Sequence, residues 1–283
     1  MEVKKVGVVG CGAMGSGIAQ VCAQSGYQVI ASEINKGLLH KGLVSINNLL
    51  TKNVDKGKIS QQKKDATLAN IKGTTDLNDF NDRDLIIEAA TENMSLKKEL
   101  FAELDKICPE HTILATNTSC LAVVDMAMAT SKPEKVLGLH FMNPVPLMKL
   151  LEIVKTIATS DETLETGKFF GESLGKTVII VKDTPGFIVN RLSIPLIINA
   201  IQLLEAGVAS GEDIDTAVTL GLNHPVGPLA LSDLIGNDVV LSIARNVYEA
   251  LHDPRFAPPL LLKSMVTAGL LGQKVGKGFH EYK

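Results

Sequence analysis

The chain has 283 residues, 45% of them hydrophobic, and a net charge of −3 from 28 basic and 31 acidic side chains. That balance excludes an electrostatic nucleic-acid or membrane-surface binder, and no apolar run reaches the ~18 residues that a spanning helix needs. The length admits one large domain or two modest ones.

The opening MEVKKVGVVG enters a strand pattern at once, without the apolar core and cleavage site of a signal peptide, so a cytoplasmic protein is expected. Short β-branched runs then alternate with amphipathic stretches. Val6–Val9, Gln28–Ser32, Leu85–Ile87, Thr112–Ala115, Val136–Leu139, Leu150–Val154 and Val178–Val181 read as buried strands. Alternation of this kind predicts a mostly parallel, doubly wound sheet with helices on both faces. From Asn35 to about Ile71 two lysine-rich helical patterns replace a single crossover. A loop of that length would be unusual, so a projecting helical hairpin is expected.

The strand signal stops near Asp183, and Pro185-Gly186 mark a break. Residues 1–183 and 184–283 therefore read as two domains, the second all-helical. Phe187–Glu205 is an apolar helix pattern with Pro195 inside it. Ser210 with Asp213 resembles a capping box. Leu229–Leu251 is helical again. Phe187-Ile188-Val189 and Leu192–Leu204 carry more apolar surface than one amphipathic stripe uses, which asks for burial on several sides; a symmetric homodimer or higher homo-oligomer would supply it, as would a place at the centre of its own domain. The four cysteines, Cys11, Cys22, Cys108 and Cys120, form no pair spaced for a metal or a disulfide. No metal is expected.

The segment Gly10-Cys11-Gly12-Ala13-Met14-Gly15 follows a strand and opens a helix. Gly10 permits a tight turn, Gly12 lets a pyrophosphate approach the backbone, and Gly15 lets helix and strand pack closely. The helix start, with Ala13 and Met14, offers amides and a positive dipole end to the phosphates. This is a Rossmann-type dinucleotide site. Glu33 closes the next strand, where a carboxylate accepts hydrogen bonds from ribose hydroxyls and repels a 2′-phosphate. NAD(H) is therefore favoured over NADP(H).

Three further segments carry chemistry: Thr116-Asn117-Thr118-Ser119, His140-Phe141-Met142-Asn143-Pro144-Val145-Pro146, and Asp183-Thr184-Pro185-Gly186-Phe187-Ile188-Val189-Asn190-Arg191. His140 suits reversible removal of a hydroxyl proton near neutrality. Glu152 sits inside the apolar run Leu150–Val154, where a carboxylate needs a partner. Pairing with His140 would orient the ring and fix its tautomer.

With these residues the chain closely resembles the short-chain 3-hydroxyacyl-CoA dehydrogenases, the bacterial 3-hydroxybutyryl-CoA enzymes in particular. The shared motifs run from GxGxMG through HFxNPxPxMxLxE and DxPGFxxNR to GxKxGxGF and cover essentially the whole chain. The resemblance implies a dinucleotide-binding domain followed by a helical substrate-binding and dimerisation domain. It implies reversible oxidation of a short-chain (S)-3-hydroxyacyl-CoA to the 3-ketoacyl-CoA with NAD, by the dyad His140–Glu152. It assigns Ser119 and Asn190 to the substrate's 3-oxygen and thioester region. It assigns Glu92, Lys97, Asn117, Ser119, Asn143 and Lys274 to the cofactor, and Lys52 and Lys56 of the hairpin to the CoA end. Cys120 stands where the family commonly has serine. Two other readings stay open: a β-hydroxyacid dehydrogenase of the hydroxyisobutyrate type, which uses a lysine acid/base, and a catalytically silent, crystallin-like nucleotide binder.

Overall fold

The computed structural model describes residues 1–282. The chain divides into two compact units, Met1–Asp183 and Thr184–Lys283.

In the first unit the elements alternate. They are β1 (Lys5–Val9), α1 (Ala13–Gln24), β2 (Gln28–Ser32), α2 (Lys36–Asp55), α3 (Gln61–Ala69), β3 (Ile71–Thr74), β4 (Leu85–Glu88) and α4 (Met94–Ile107). There follow β5 (Ile113–Thr116), α5 (Val123–Ala127), β6 (Val136–Phe141), β7 (Leu150–Lys155), α6 (Asp161–Ser173) and β8 (Thr177–Lys182). All eight strands form one sheet in the order β3-β2-β1-β4-β5-β6-β7-β8. Every pairing is parallel except β6 with β7. The strand order reverses between β1 and β4, which opens a ligand crevice at the carboxyl ends of those strands. Val8, Ile18, Leu85, Ile87, Ala115, Leu139 and Ile153 lie in one continuous core beneath it.

The doubly wound sheet expected from the alternation is present, with one strand more than the sequence suggested. β3 is short, and its residues Ile71, Lys72, Gly73 and Thr74 show little period-2 hydrophobic signal. It pairs on the sheet edge beside β2. The hairpin expected between β2 and this strand is the α2–α3 pair. Asn35 caps α2 by accepting from the Leu38 amide at 2.9 Å, and Ser60 caps α3 through the Lys63 amide at 3.1 Å.

The second unit holds α7 (Val189–Glu205), α8 (Gly211–Gly221), α9 (Pro228–Ile235), α10 (Asn237–Leu251) and α11 (Leu260–Thr267). α7 begins two residues later than expected, because Phe187 takes a left-handed backbone, φ 48°. Pro195 lies within α7. The single helix expected over Leu229–Leu251 is two, separated by Gly236 at φ 104°. Ser210 caps α8 as its pattern indicated, accepting from the Asp213 amide at 3.1 Å. Buried Asp233 accepts from the Phe279 and His280 amides and the Tyr282 hydroxyl at 2.9–3.0 Å, which ties the C-terminal segment to α9.

Candidate active site

The glycine loop has the shape its sequence implied. Gly10 sits at φ 89°, a conformation that other residues rarely adopt. A Cβ on Gly15 would overlap the Gly10 carbonyl oxygen, so only glycine lets α1 start this close to β1. At Gly12 a Cβ would meet nothing within 4 Å, and no side chain caps α1. An open cradle in front of uncapped helix amides fits a pyrophosphate. Glu33 reaches across to the loop: its Oε1 accepts the Cys11 amide at 2.9 Å and its Oε2 the Ile34 amide at 3.2 Å. A carboxylate offers about four acceptor directions, so capacity remains for ribose hydroxyls.

His140 and Glu152 stand directly opposite each other in the antiparallel β6–β7 register. The pairing places His140 Nδ1 2.6 Å from Glu152 Oε2, with Glu152 fully buried and His140 6% exposed. An ionised carboxylate only accepts, so Nδ1 carries the proton and Nε2 becomes the basic nitrogen. The one antiparallel pairing in the sheet thus creates the dyad. A parallel β7 of the same sequence would not bring these two positions into this register.

Ser119 lies on the turn after β5. Glu92 Oε1 accepts from the Thr118 hydroxyl, from the Ser119 amide at 3.1 Å and from the Ser119 hydroxyl at 3.5 Å. The Asn117 amide donates to the Glu88 carbonyl at 2.7 Å, and its side-chain oxygen accepts from the Phe141 amide at 2.9 Å, one residue beyond His140. Asn143 is exposed on the loop that follows β6. That loop packs against α1, where a Cβ on Gly17 would come within 2.9 Å of Val145 Cβ. Glycine loop, Ser119 turn and dyad therefore share the carboxyl edge of one sheet.

Comparison with known proteins decides the family. The model of the 3-hydroxyacyl-CoA dehydrogenase NAD-binding domain matches residues 5–184, and that of the C-terminal domain matches residues 186–282. The chain belongs to the 3-hydroxyacyl-CoA dehydrogenase family. It is 44% identical over 283 residues to a probable 3-hydroxybutyryl-CoA dehydrogenase of Bacillus subtilis, covering 100% of this chain and 99% of that protein. The crystal structure of FadB2 from M. tuberculosis superposes with a TM-score of 0.98 at 44% identity, over 100% of both chains. That of (S)-3-hydroxybutyryl-CoA dehydrogenase PaaH1 from Ralstonia eutropha gives 0.94 at 41%, again over 100% of both. The match to both dehydrogenase domains sets aside the hydroxyisobutyrate-type alternative.

Within this dehydrogenase fold, the remaining candidates occupy varied surroundings. Lys97, read from sequence as a cofactor contact, is 1% exposed, and its amine lies 2.6 Å from Glu88 Oε1, 3.4 Å from the Ala90 carbonyl and 3.4 Å from Glu92 Oε2. Lys52 and Lys56 are exposed at the end of α2. In the second unit, Asn190 is the second residue of α7, and Lys274 spans both carboxylate oxygens of Asp238 at 2.6 Å. Among the described residues no group of three metal-ligating side chains converges, and no helix is long and apolar enough to cross a membrane.

Two residues of this dehydrogenase went unread in the sequence. Lys176 donates to the Val145 and Met148 carbonyls at 2.6 and 2.7 Å and so holds the Asn143 loop; a lysine after a helix carries no sequence signal for this. Glu88 does carry one. It closes the apolar run Leu85-Ile86-Ile87, and a carboxylate there needs a partner for the same reason as Glu152.

Proposed function

We propose that the chain interconverts (S)-3-hydroxybutyryl-CoA and acetoacetyl-CoA with NAD(H). The observation that carries this reading is the His140–Glu152 pair, buried at the sheet edge that also bears the glycine loop. Bound nicotinamide supplies the hydride acceptor in oxidation and the donor in reduction. His140 Nε2 takes the C3 hydroxyl proton in oxidation and returns a proton to the C3 oxygen in reduction. Glu152 keeps Nδ1 protonated and stabilises the imidazolium that forms. The Ser119 hydroxyl donates to the C3 oxygen, with Asn190 as a second polar partner of the substrate. Neutral donors of this kind stabilise an alkoxide or a polarised carbonyl without adding charge.

Glu33 accepts from the adenosine ribose and disfavours a 2′-phosphate, which supports NAD over NADP. Gly10, Gly12, Ala13, Met14 and Gly15 hold the pyrophosphate. Glu92, Lys97, Asn143 and Lys274 are assigned to the nicotinamide ribose and carboxamide through the family resemblance, Asn117 and Ser119 to the cofactor, and Lys52 and Lys56 to the CoA phosphates. The helical unit exposes Leu192 at 71% and Leu220 at 81%; apolar surface of this kind supports a homodimer. The four cysteines are all buried, and their spacing suits neither a metal nor a disulfide, in keeping with a cytoplasmic setting.

The direct test is loss of NADH absorbance with acetoacetyl-CoA, repeated with NADPH and with longer 3-ketoacyl-CoAs. Turnover that is fastest with acetoacetyl-CoA and NADH supports the proposal. A purified, folded protein that consumes no NADH with any of these substrates would overturn it and leave the silent nucleotide binder.

A further inference from the structure

Glu88 is the last residue of β4, at the point where the strand order reverses, and it is 0% exposed. Its carboxylate is fully engaged. Oε1 accepts the Ala90 amide at 2.7 Å and the Lys97 amine at 2.6 Å, and Oε2 accepts the Thr116 hydroxyl at 2.7 Å. Lys97 is the cation that offsets this buried charge, since removing it would strand the Glu88 carboxylate in low dielectric.

The pair is joined to the candidate site along two routes. Lys97 also faces Glu92 Oε2 at 3.4 Å, and the other oxygen of Glu92 holds the Thr118–Ser119 turn. Thr116, anchored by Glu88, accepts the Thr118 amide at 3.1 Å. The backbone adds a third tie, because the Glu88 carbonyl accepts the Asn117 amide, and Asn117 in turn accepts the Phe141 amide beside His140.

We infer that Glu88 is a positioning residue: through Lys97 and Thr116 it sets the Glu92 carboxylate and the Ser119 turn, and so the geometry of hydride transfer. Lys97 accordingly acts through Glu92, as the cation that fixes where that carboxylate lies, rather than as a surface ligand. This inference rests on the proposed 3-hydroxyacyl-CoA reading. Wild-type turnover of acetoacetyl-CoA with NADH is therefore measured first. Its absence counts against that reading, while NADH titration of the protein still tests Glu88.

The variants are Glu88→Gln, Lys97→Met, the double variant, and Thr116→Val. For each, Tm, NADH Kd from fluorescence titration without substrate, kcat and KM are measured. Glu88→Gln removes the close partner of Lys97, leaves it only the Glu92 carboxylate at 3.4 Å, and lowers Tm and kcat together. The double variant removes both charges and recovers most of the Tm. Its kcat stays down on the order of a hundredfold, the cost of small misplacement at a reacting centre, with NADH Kd raised and KM for acetoacetyl-CoA moved less than kcat. Thr116→Val keeps both charges and still lowers kcat. A double variant that returns to wild-type kcat and NADH affinity along with its Tm would reduce Glu88 to a structural role and overturn the inference. So would wild-type kcat in Glu88→Gln, or in Thr116→Val, where a direct contact from Lys97 would be left intact.

Discussion

Replacing Glu152 with glutamine changes one oxygen to an amide and removes one charge at a position with no solvent exposure. The hydrogen-bonding atoms are 2.6 Å apart, which puts the charge centres of carboxylate and imidazolium ~4 Å apart. At an effective dielectric of about 20, that contact is worth about 4 kcal/mol. In oxidation the imidazolium exists only once His140 has taken the proton, so the loss falls on the transition state and not on bound substrate. Glu152→Gln should lower kcat of oxidation about a thousandfold, with NADH Kd little changed because Glu152 is fully buried against His140. Steady-state kinetics of 3-hydroxybutyryl-CoA oxidation, with NADH fluorescence titration, measure both quantities. A kcat within tenfold of wild type would refute the electrostatic account of the dyad.

Glu33→Ala should shrink the preference for NADH over NADPH in kcat/KM by roughly fivefold or more, the effect of one solvent-screened like-charge contact at about 1 kcal/mol; unchanged selectivity would remove Glu33 from cofactor choice. Lys176→Met removes two charge-assisted hydrogen bonds to the Asn143 loop. Burial already holds that amine below the usual lysine range, so part of the gain is offset, and a loss of about 2 kcal/mol is expected, seen as a Tm several degrees lower. Burial, and secondarily the Glu33 charge, push the Cys11 thiol up to about 11. The thiolate is therefore disfavoured, about one molecule in a thousand carries it at pH 8, and maleimide should leave Cys11 unlabelled in the native protein until the pH approaches that value; rapid labelling at pH 8 would contradict this.

Much of the fold was readable because the relevant signals are local. Valine and isoleucine runs marked seven strands within a residue or two at most ends, and Ser210 sits where its capping pattern placed a helix start. β3 escaped because an edge strand of four residues with a lysine and a glycine has no hydrophobic period to detect. Gly236 divides a stretch whose apolar periodicity runs on across it, so composition alone suggested one helix.

The candidate site was legible where a residue type is costly in its setting. Glu152 in an apolar strand demanded a cation, and the cross-strand register supplies His140. Glu88 obeyed the same rule, with its partner nine positions on in the next helix. Lys97 shows the limit in the other direction. Its spacing in α4 says nothing about whether the amine points to solvent or into the sheet; only the buried Glu88 beneath it decides. The hydrogen bond from Phe141 to Asn117 joins the end of β6 to the turn after β5, more than twenty residues apart, and no local pattern reports such a contact.

The central claim is hydride transfer between a nicotinamide and C3 of a ketoacyl-CoA, with His140 as proton donor. The most direct measurement is reduction of acetoacetyl-CoA with NADH deuterated at the transferring C4 position, followed by mass analysis of the product. The account predicts 3-hydroxybutyryl-CoA carrying deuterium at C3, formed by the wild type and slowed by orders of magnitude in His140→Gln. Product without the label, or labelled product formed as fast by the variant, would contradict it.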